Sequence, residues 1–173
     1  YDDYAYQKEK KIVIDSAVRA QNIHKILYQC PVCGKEFTTN SEGTRIWCEH
    51  CGASWEMNVY GELKRENGED VFTHVPDWYR WERENVRKEV ESGKYHFEDD
   101  ARLEKIINAS TGFRVIGNVK LIHDENGFTM KGHFDDGETF EFNRNVSSMR
   151  SVHIDYDFQG RGDAIDLATL DDP

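Results

Sequence analysis

The chain has 173 residues, which is enough for one large domain or two small ones with a hydrophobic core. Its formal net charge is −11, and the acidic excess is concentrated after residue 60, which argues against broad binding to the phosphates of DNA or RNA. Every apolar run is shorter than the roughly 18–20 residues that span a bilayer, and the chain does not start with a signal-peptide pattern, so we expect it to be soluble.

The first segment, residues 1–27, is predicted to be a connecting segment with little regular structure. Within it, the stretch KIVI is typical of a brief strand. The stretch AVRAQNIHKIL fits either a strand or a short helix, and the pattern does not decide between them.

The next segment contains all four cysteines of the chain, arranged as two Cys-x-x-Cys-Gly units: Cys30, Cys33, Cys48 and Cys51. Fourteen residues separate the inner cysteines. Two such turns facing each other supply the four thiolates of a tetrahedral zinc site, so we predict one structural Zn²⁺ per chain. Pairing of KEFTT with TRIWC, and a third strand in SWEMNVY, would make residues 28–62 a zinc ribbon.

Two other interpretations of the cysteines are a redox dithiol and a pair of disulfides, and His50 is a possible alternative ligand. Redox chemistry needs only one cysteine pair, so the presence of a second matching pair favours a zinc site. A four-thiolate shell leaves no coordination position for water or substrate, so the site is expected to be structural rather than catalytic. With no cysteine left for a disulfide elsewhere, we expect a reducing, cytoplasmic location.

Residues 63–95 are predicted to form a linker and a helix. The polar stretch 61–70 fits a linker or a long hairpin turn. The stretch HVPDWYRWERENVRKEVESGKY follows, with Pro76 near the start of a helix and Gly93 at its stop. Its first turns carry Trp78, Tyr79 and Trp81, which either anchor a partner protein or pack the helix onto its own domain.

From about residue 96 the hydrophobic period changes to two, and residues 96–173 are predicted to form an antiparallel β-domain, either a small sheet or a barrel. A three-strand meander is expected around the turns ENG and DDG, with ARLEKIIN as a preceding strand and SVHIDYDF and DAIDLATL as two more. The predicted fold class is therefore α+β: a four-cysteine ribbon, one amphipathic helix and a small antiparallel sheet or barrel.

The last two predicted strands also contain an imperfect calcium-binding pattern between Asp155 and Asp166. Its acidic positions match an EF-hand loop, but Gly162 stands where an apolar residue is expected and the flanks alternate like strands. An acidic hairpin is the competing interpretation. No nucleophile with a base, paired catalytic carboxylates or phosphate-binding glycine loop is evident, so no catalytic residue is predicted.

Three stretches in order, RAQNIHKILYQCPVCG, GASWEMNVYGEL and HVPDWYRWERENVRKEV, resemble the C-terminal extension of certain bacterial 1-acyl-sn-glycerol-3-phosphate acyltransferases. The resemblance covers most of the chain. It implies a longer parent protein with an N-terminal domain that acylates lysophosphatidate to phosphatidate at the membrane. The catalytic His and Asp of that family, separated by four residues, are absent here, because none of the seven histidines is followed by an aspartate at that spacing.

The resemblance therefore implies a non-catalytic accessory module with a protein-interaction or regulatory role. Its expected partner is the N-terminal catalytic domain of the parent or another protein, at the cytoplasmic face of the membrane. The alternative is a nucleic-acid-binding or transcription-associated zinc ribbon, which would require a basic, aromatic-studded face.

Overall fold

A computed structural model describes residues 3–108, 112–134, 136–149 and 151–167. It has two helices and antiparallel sheets, which confirms the α+β class. The chain divides into two compact units, residues 1–88 and 89–173. The finer predicted division at residues 27, 62 and 95 stays a prediction.

The first unit contains a four-stranded antiparallel sheet. Its strands follow chain order, β1 (Thr39–Glu42), β2 (Arg45–Cys48), β3 (Ser54–Met57) and β4 (Leu63–Arg65). The predicted hairpin starts later than expected, since only Thr39 of the KEFTT stretch lies in β1. The earlier residues close the cysteine turn instead, where Lys35 O accepts a hydrogen bond from Cys30 N at 2.9 Å.

Strand β4 corrects the prediction that residues 61–70 form only a linker or turn. Leu63 pairs with Met57 of β3 and is 1 % exposed, so it adds both a strand and a core residue to the ribbon. The polar composition of the segment conceals this single buried leucine. Strand β3 is correspondingly shorter than the predicted stretch 54–60 and ends at Met57.

The described part of the chain contains two α-helices, α1 (Asp3–Lys10) and α2 (Val75–Glu91). The second confirms the predicted helix, and its stop is at Gly93, which has φ of 66° and donates to Val90 O. Helix α1 was not predicted, because its amphipathic signal is weak. It is tied to the ribbon by a hydrogen bond from Tyr4 Oη to Gly61 O.

The rest of the N-terminal segment lies against the ribbon without being a strand. In the KIVI region Ile14 N donates to Val59 O at 2.7 Å, but no ladder forms. The undecided stretch after it contains turns and a short 3₁₀ helix at Ile23–Lys25. Arg19 Nε donates to Met57 O at 2.6 Å, so this segment is fixed to β3.

The core of the first unit surrounds the cysteine turns. Trp55 of β3 and Trp78 of α2 are fully buried, with ring centroids 4.8 Å apart. The other buried members come from the N-terminal segment, the cysteine turns and the ribbon strands: Ala20, Leu27, Cys30, Ile46, Cys48, Ala53, Met57 and Leu63. Two of the cysteines are therefore part of the hydrophobic core.

The second unit is built on an open four-stranded antiparallel sheet. Its order is β5 (His96–Asn108), β6 (Gly112–Asp124), β7 (Gly127–His133) and β8 (Thr139–Asn145), which confirms the meander and the strand before it. Strand β5 begins at His96 rather than at the predicted Ala101. Of the two alternatives, the described residues form a sheet and not a closed barrel.

Two short strands form a separate antiparallel pair, β9 (His153–Asp155) and β10 (Ala164–Asp166). They correspond to the last two predicted strands. The predicted continuation of β10 through residues 168–170 lies outside the described residues.

Candidate metal centre

The four cysteines converge as the spacing predicts. Their sulfur atoms all lie within 4.8 Å of one another. The Sγ atoms of Cys30 and Cys51 are 3.7 Å apart, and those of Cys33 and Cys48 are 3.8 Å apart. Four zinc–sulfur bonds of about 2.3 Å at tetrahedral angles place neighbouring sulfurs about 3.8 Å apart. The residues therefore fit one metal ion such as zinc.

The two cysteine turns have the same backbone design. In the first, Gly34 N donates to Cys30 O at 2.8 Å, and in the second Gly52 N donates to Cys48 O at 2.9 Å. The two glycines have φ of 71° and 72°, and a methyl group added to either would meet no atom within 4 Å. Glycine is therefore favoured at both places by the left-handed backbone and not by lack of space.

The turn after the first cysteine of each pair is closed in the same way. Cys30 N donates to Lys35 O at 2.9 Å, and Cys48 N donates to Ala53 O at 2.8 Å. These matched bonds give the two halves of the site pseudo-symmetric geometry. Each half presents two sulfurs towards the other.

The protein environment shifts the pKa values of the Cys30 and Cys48 thiols in opposite directions. Burial raises the pKa of the Cys30 thiol well above its usual range. Burial acts in the same direction at Cys48, but hydrogen bonds from the Thr38 hydroxyl and from the amides of Cys51 and His50 outweigh it and lower the pKa to about 6. A thiolate at the fully buried Cys30 thus requires a neighbouring positive charge, which a bound divalent metal supplies.

Helix α2 holds the residue that precedes the first cysteine. Gln29 N donates to Glu82 Oε1 at 2.8 Å, and Gln29 O accepts from Trp78 Nε1 at 2.8 Å. The Gln29 side chain also accepts from Asn85 Nδ2 at 2.7 Å. Both backbone groups of Gln29 are therefore bound by side chains of one helix face, so the helix fixes the start of the first cysteine turn.

Glu82 is a buried carboxylate on helix α2. It is 1 % exposed, and its Oε2 has no hydrogen-bond partner among the described residues. Burial raises its pKa to about 7, although the hydrogen bond from Gln29 N acts in the opposite direction. The sequence contains one signal for this position, since Glu82 follows Trp78 by four residues and therefore lies on the same helix face.

The structure also bears on the alternative interpretations of the site, in which His50 is a ligand or the cysteines form disulfides. His50 is exposed and is not part of the metal cluster, whose members are the four cysteines alone. All four are free cysteines. The described site therefore has the closed, all-sulfur donor set expected of a structural centre rather than an open catalytic one.

The three helix aromatics do not share one environment. Trp78 is buried in the core, and Trp81 is half-buried with its ring 5.8 Å from that of Phe72. Tyr79 is 43 % exposed, with the Arg83 guanidinium 5.8 Å from its ring centroid. Packing thus explains the two tryptophans, and Tyr79 is the one available for the predicted partner contact.

The region with the calcium pattern is a hairpin. Asp155 in β9 pairs with Ala164 in β10, whereas an EF-hand loop lies between helices. The carboxylate of Asp157 accepts from Gly162 N at 3.3 Å, so it closes the turn. The acidic hairpin is therefore the interpretation that the backbone supports.

Neither helix in the described part of the chain is long and apolar enough to cross a membrane. Comparison of the chain with protein-family models, with curated proteins and with solved structures gave no match. The fold and the site thus define an α+β chain that carries a four-cysteine centre suited to one metal ion such as zinc.

Proposed function

We propose that residues 1–88 form a structural zinc module in which Cys30, Cys33, Cys48 and Cys51 bind one Zn²⁺. The observation that carries this proposal is the spacing of the four sulfur atoms. They lie at the sulfur–sulfur distances of a tetrahedral zinc–thiolate site. The metal would neutralise thiolates that burial otherwise disfavours. Two ligands lie in the hydrophobic core, so zinc binding and folding of the first unit are coupled.

The test is the metal content of protein purified without added metal, together with thermal melting in the presence and absence of a chelator. One zinc per chain and a lower melting temperature with chelator are expected. Cys33→Ser is the informative ligand variant, and the exposed His50→Ala is its control, with normal zinc content. Metal-free protein whose melting is unaffected by chelator would contradict the proposal.

We further propose that the module is a non-catalytic accessory part of an acyltransferase-like protein of phospholipid synthesis. This rests on the resemblance of the three quoted stretches to the C-terminal extensions of 1-acyl-sn-glycerol-3-phosphate acyltransferases. Two of these stretches contain the pair Gln29 and Trp78, which are hydrogen-bonded to each other across the ribbon and helix. The resemblance therefore includes residues that form one packed unit.

The accessory proposal assigns a protein partner: the N-terminal catalytic domain of a longer parent, or another protein at the cytoplasmic face of the membrane. Tyr79 is the exposed residue of the aromatic cluster, which supports a partner contact at this position. The test is lysophosphatidate acylation by the parent protein with and without residues 20–60. Loss of activity at unchanged parent stability supports regulation, and loss of both supports a folding role. Absence of acylation by the intact parent contradicts the acyltransferase link and leaves the zinc proposal unaffected.

Nucleic-acid binding is the weaker alternative on electrostatic grounds. Between the cysteines, Lys35 and Arg45 are the only basic residues, against three glutamates. Arg45 is engaged by Glu66, with Nη2 and Oε2 2.6 Å apart. Phosphate binding draws its affinity from accessible cations, and the ribbon offers few.

A further inference from the structure

The β9–β10 hairpin brings a histidine and two aspartates together. His153 and Asp166 are directly opposite each other in the strand pairing, and Asp155 follows His153 by two residues on the same strand face. One ligand atom from each of the three lies within 4.8 Å of the others. The His153 Nε2 is 3.1 Å from Asp155 Oδ1, so the ring nitrogen is directed into the group.

Among the described residues, no lysine or arginine is paired with the two carboxylates of this group, and Asp155 contacts His153 of the group itself. In the part of the chain that the structure describes, the side-chain carboxylate of Asp166 has no hydrogen-bond or ion-pair partner, although its backbone is paired with that of His153. The arginine in the hairpin turn, Arg161, is engaged by Glu104 of β5. Two carboxylates this close repel each other when both are ionised, and a bound cation removes that repulsion.

The other acidic side chains of the hairpin have a different role. Asp163 Oδ1 accepts from Asp157 N at 2.9 Å, and Asp157 Oδ1 accepts from Gly162 N. These bonds hold the turn, so the register of β9 and β10 does not depend on the three grouped residues. The side chains of His153 and Asp166 are exposed and can be replaced without creating a cavity.

We propose that His153, Asp155 and Asp166 form a second metal site, for one divalent first-row transition ion, with water in the remaining coordination positions. The imidazole separates this group from an ordinary cluster of surface carboxylates. Imidazole with carboxylates suits ions such as Ni²⁺, Mn²⁺ and Zn²⁺, whereas Ca²⁺ and Mg²⁺ take oxygen ligands. The site is independent of the four-cysteine centre and differs from an EF-hand in ligand type and backbone.

The test uses protein whose four-cysteine centre is loaded with zinc, titrated with Ni²⁺ and followed by amide NMR. Paramagnetic broadening is expected first at residues around 153–155 and 164–166. Asp166→Asn should weaken Ni²⁺ binding about tenfold or more, the effect of losing roughly 1.4 kcal/mol of binding free energy. His153→Ala should do the same, and unchanged amide shifts in β9 and β10 without metal will show that the hairpin is retained.

His96→Ala is the matched control. His96 Nε2 lies 3.5 Å from Glu98 Oε2, an exposed pair with the same two-residue spacing, but no third ligand among the described residues completes a group there. This variant should leave broadening at the hairpin unchanged. The proposal is overturned if Ni²⁺ does not broaden the hairpin, if Asp166→Asn has no effect, or if Ca²⁺ and Mg²⁺ compete as well as Mn²⁺ does.

Discussion

At the scale of single residues, Glu82 links the helix to the metal centre. Its carboxylate accepts the hydrogen bond of Gln29 N, next to the first metal ligand, while its other oxygen is buried without a partner among the described residues. A buried polar atom without a hydrogen bond lowers stability, and an ionised one lowers it further. The contact therefore favours correct placement of the cysteine turn over maximum stability of the fold.

This environment predicts a pH-dependent stability. The pKa of Glu82 is raised from 4.5 to about 7, so between these values the unfolded carboxyl ionises while the folded one keeps its proton. The folded state is then progressively destabilised as pH rises, and the loss is complete above about pH 7. Glu82→Gln does not titrate, so its free energy of unfolding relative to wild type should increase by about 2 kcal/mol between pH 5 and pH 8.

The measurement is urea unfolding of both proteins at the two pH values with excess zinc. Weaker zinc binding at pH 5 affects both proteins and cancels in the difference. Glu89→Gln, at an exposed position of the same helix, is the control and should show no such change with pH. The same variant-to-wild-type difference at both pH values would show that burial does not govern Glu82.

A second prediction at this scale concerns Gly52. With φ of 72°, an alanine there adopts the left-handed conformation at a cost of about 1–2 kcal/mol, although its methyl group meets no atom. Gly52→Ala should lower the free energy of unfolding by that amount and still bind one zinc. Gly52→Asn should be milder, because asparagine tolerates this conformation. Equal stability of all three proteins in denaturant titration would refute the argument.

At the scale of elements, α2 and the ribbon form one packed unit through Trp78. The indole ring packs on Trp55 and its N–H binds Gln29 O, so one side chain connects the helix, β3 and the first cysteine turn. A helix with a single apolar side could dock on a ribbon in several rotations about its axis. The hydrogen bond to a fixed backbone carbonyl selects one of them.

Truncation of this side chain should therefore affect both folding and metal retention. Trp78→Ala is expected to cost about 3–5 kcal/mol of stability and to accelerate zinc loss to a chelator. Trp78→Phe keeps most of the packing but removes the N–H donor. Its stability and its rate of zinc loss should therefore fall between those of wild type and Trp78→Ala. Tyr79→Ala changes an exposed neighbour and serves as the control. If zinc loss is equally slow in Trp78→Ala and wild type, the helix does not support the cysteine turn.

The elements also show which parts of this molecule a sequence can predict. Helix α2 has Pro76 near its start and Gly93 at its stop, and the meander has glycine turns between alternating strands, so local chemistry alone defines both. Strand β4 pairs with the neighbouring β3, but its polar composition is typical of a turn, and the burial of Glu82 depends on a contact with Gln29, which is distant in the chain. The four-residue spacing between Trp78 and Glu82 places both on one helix face but does not show what that face contacts. The metal site was predictable because its ligands are close in sequence and of one chemical type.

At the scale of the whole molecule, metal removal should act on one unit and spare the other. The four-cysteine centre and the core that includes Cys30 and Cys48 lie in residues 1–88, whereas the β5–β8 sheet in residues 89–173 is held by its own ladder of hydrogen bonds. All four tryptophans also lie in the first unit, at positions 47, 55, 78 and 81. Tryptophan fluorescence therefore reports on that unit alone.

We expect a zinc chelator to shift tryptophan emission to longer wavelength, because the buried Trp55 and Trp78 become exposed to water. Hydrogen exchange should accelerate at residues 39–65 and stay slow at amides where β6 pairs with β7, such as the pair Leu121 and Met130. Zinc added back should restore the emission and the exchange protection. Simultaneous loss of protection in β6 and β7 would show that the two units fold as one cooperative system, and zinc would then stabilise the entire chain.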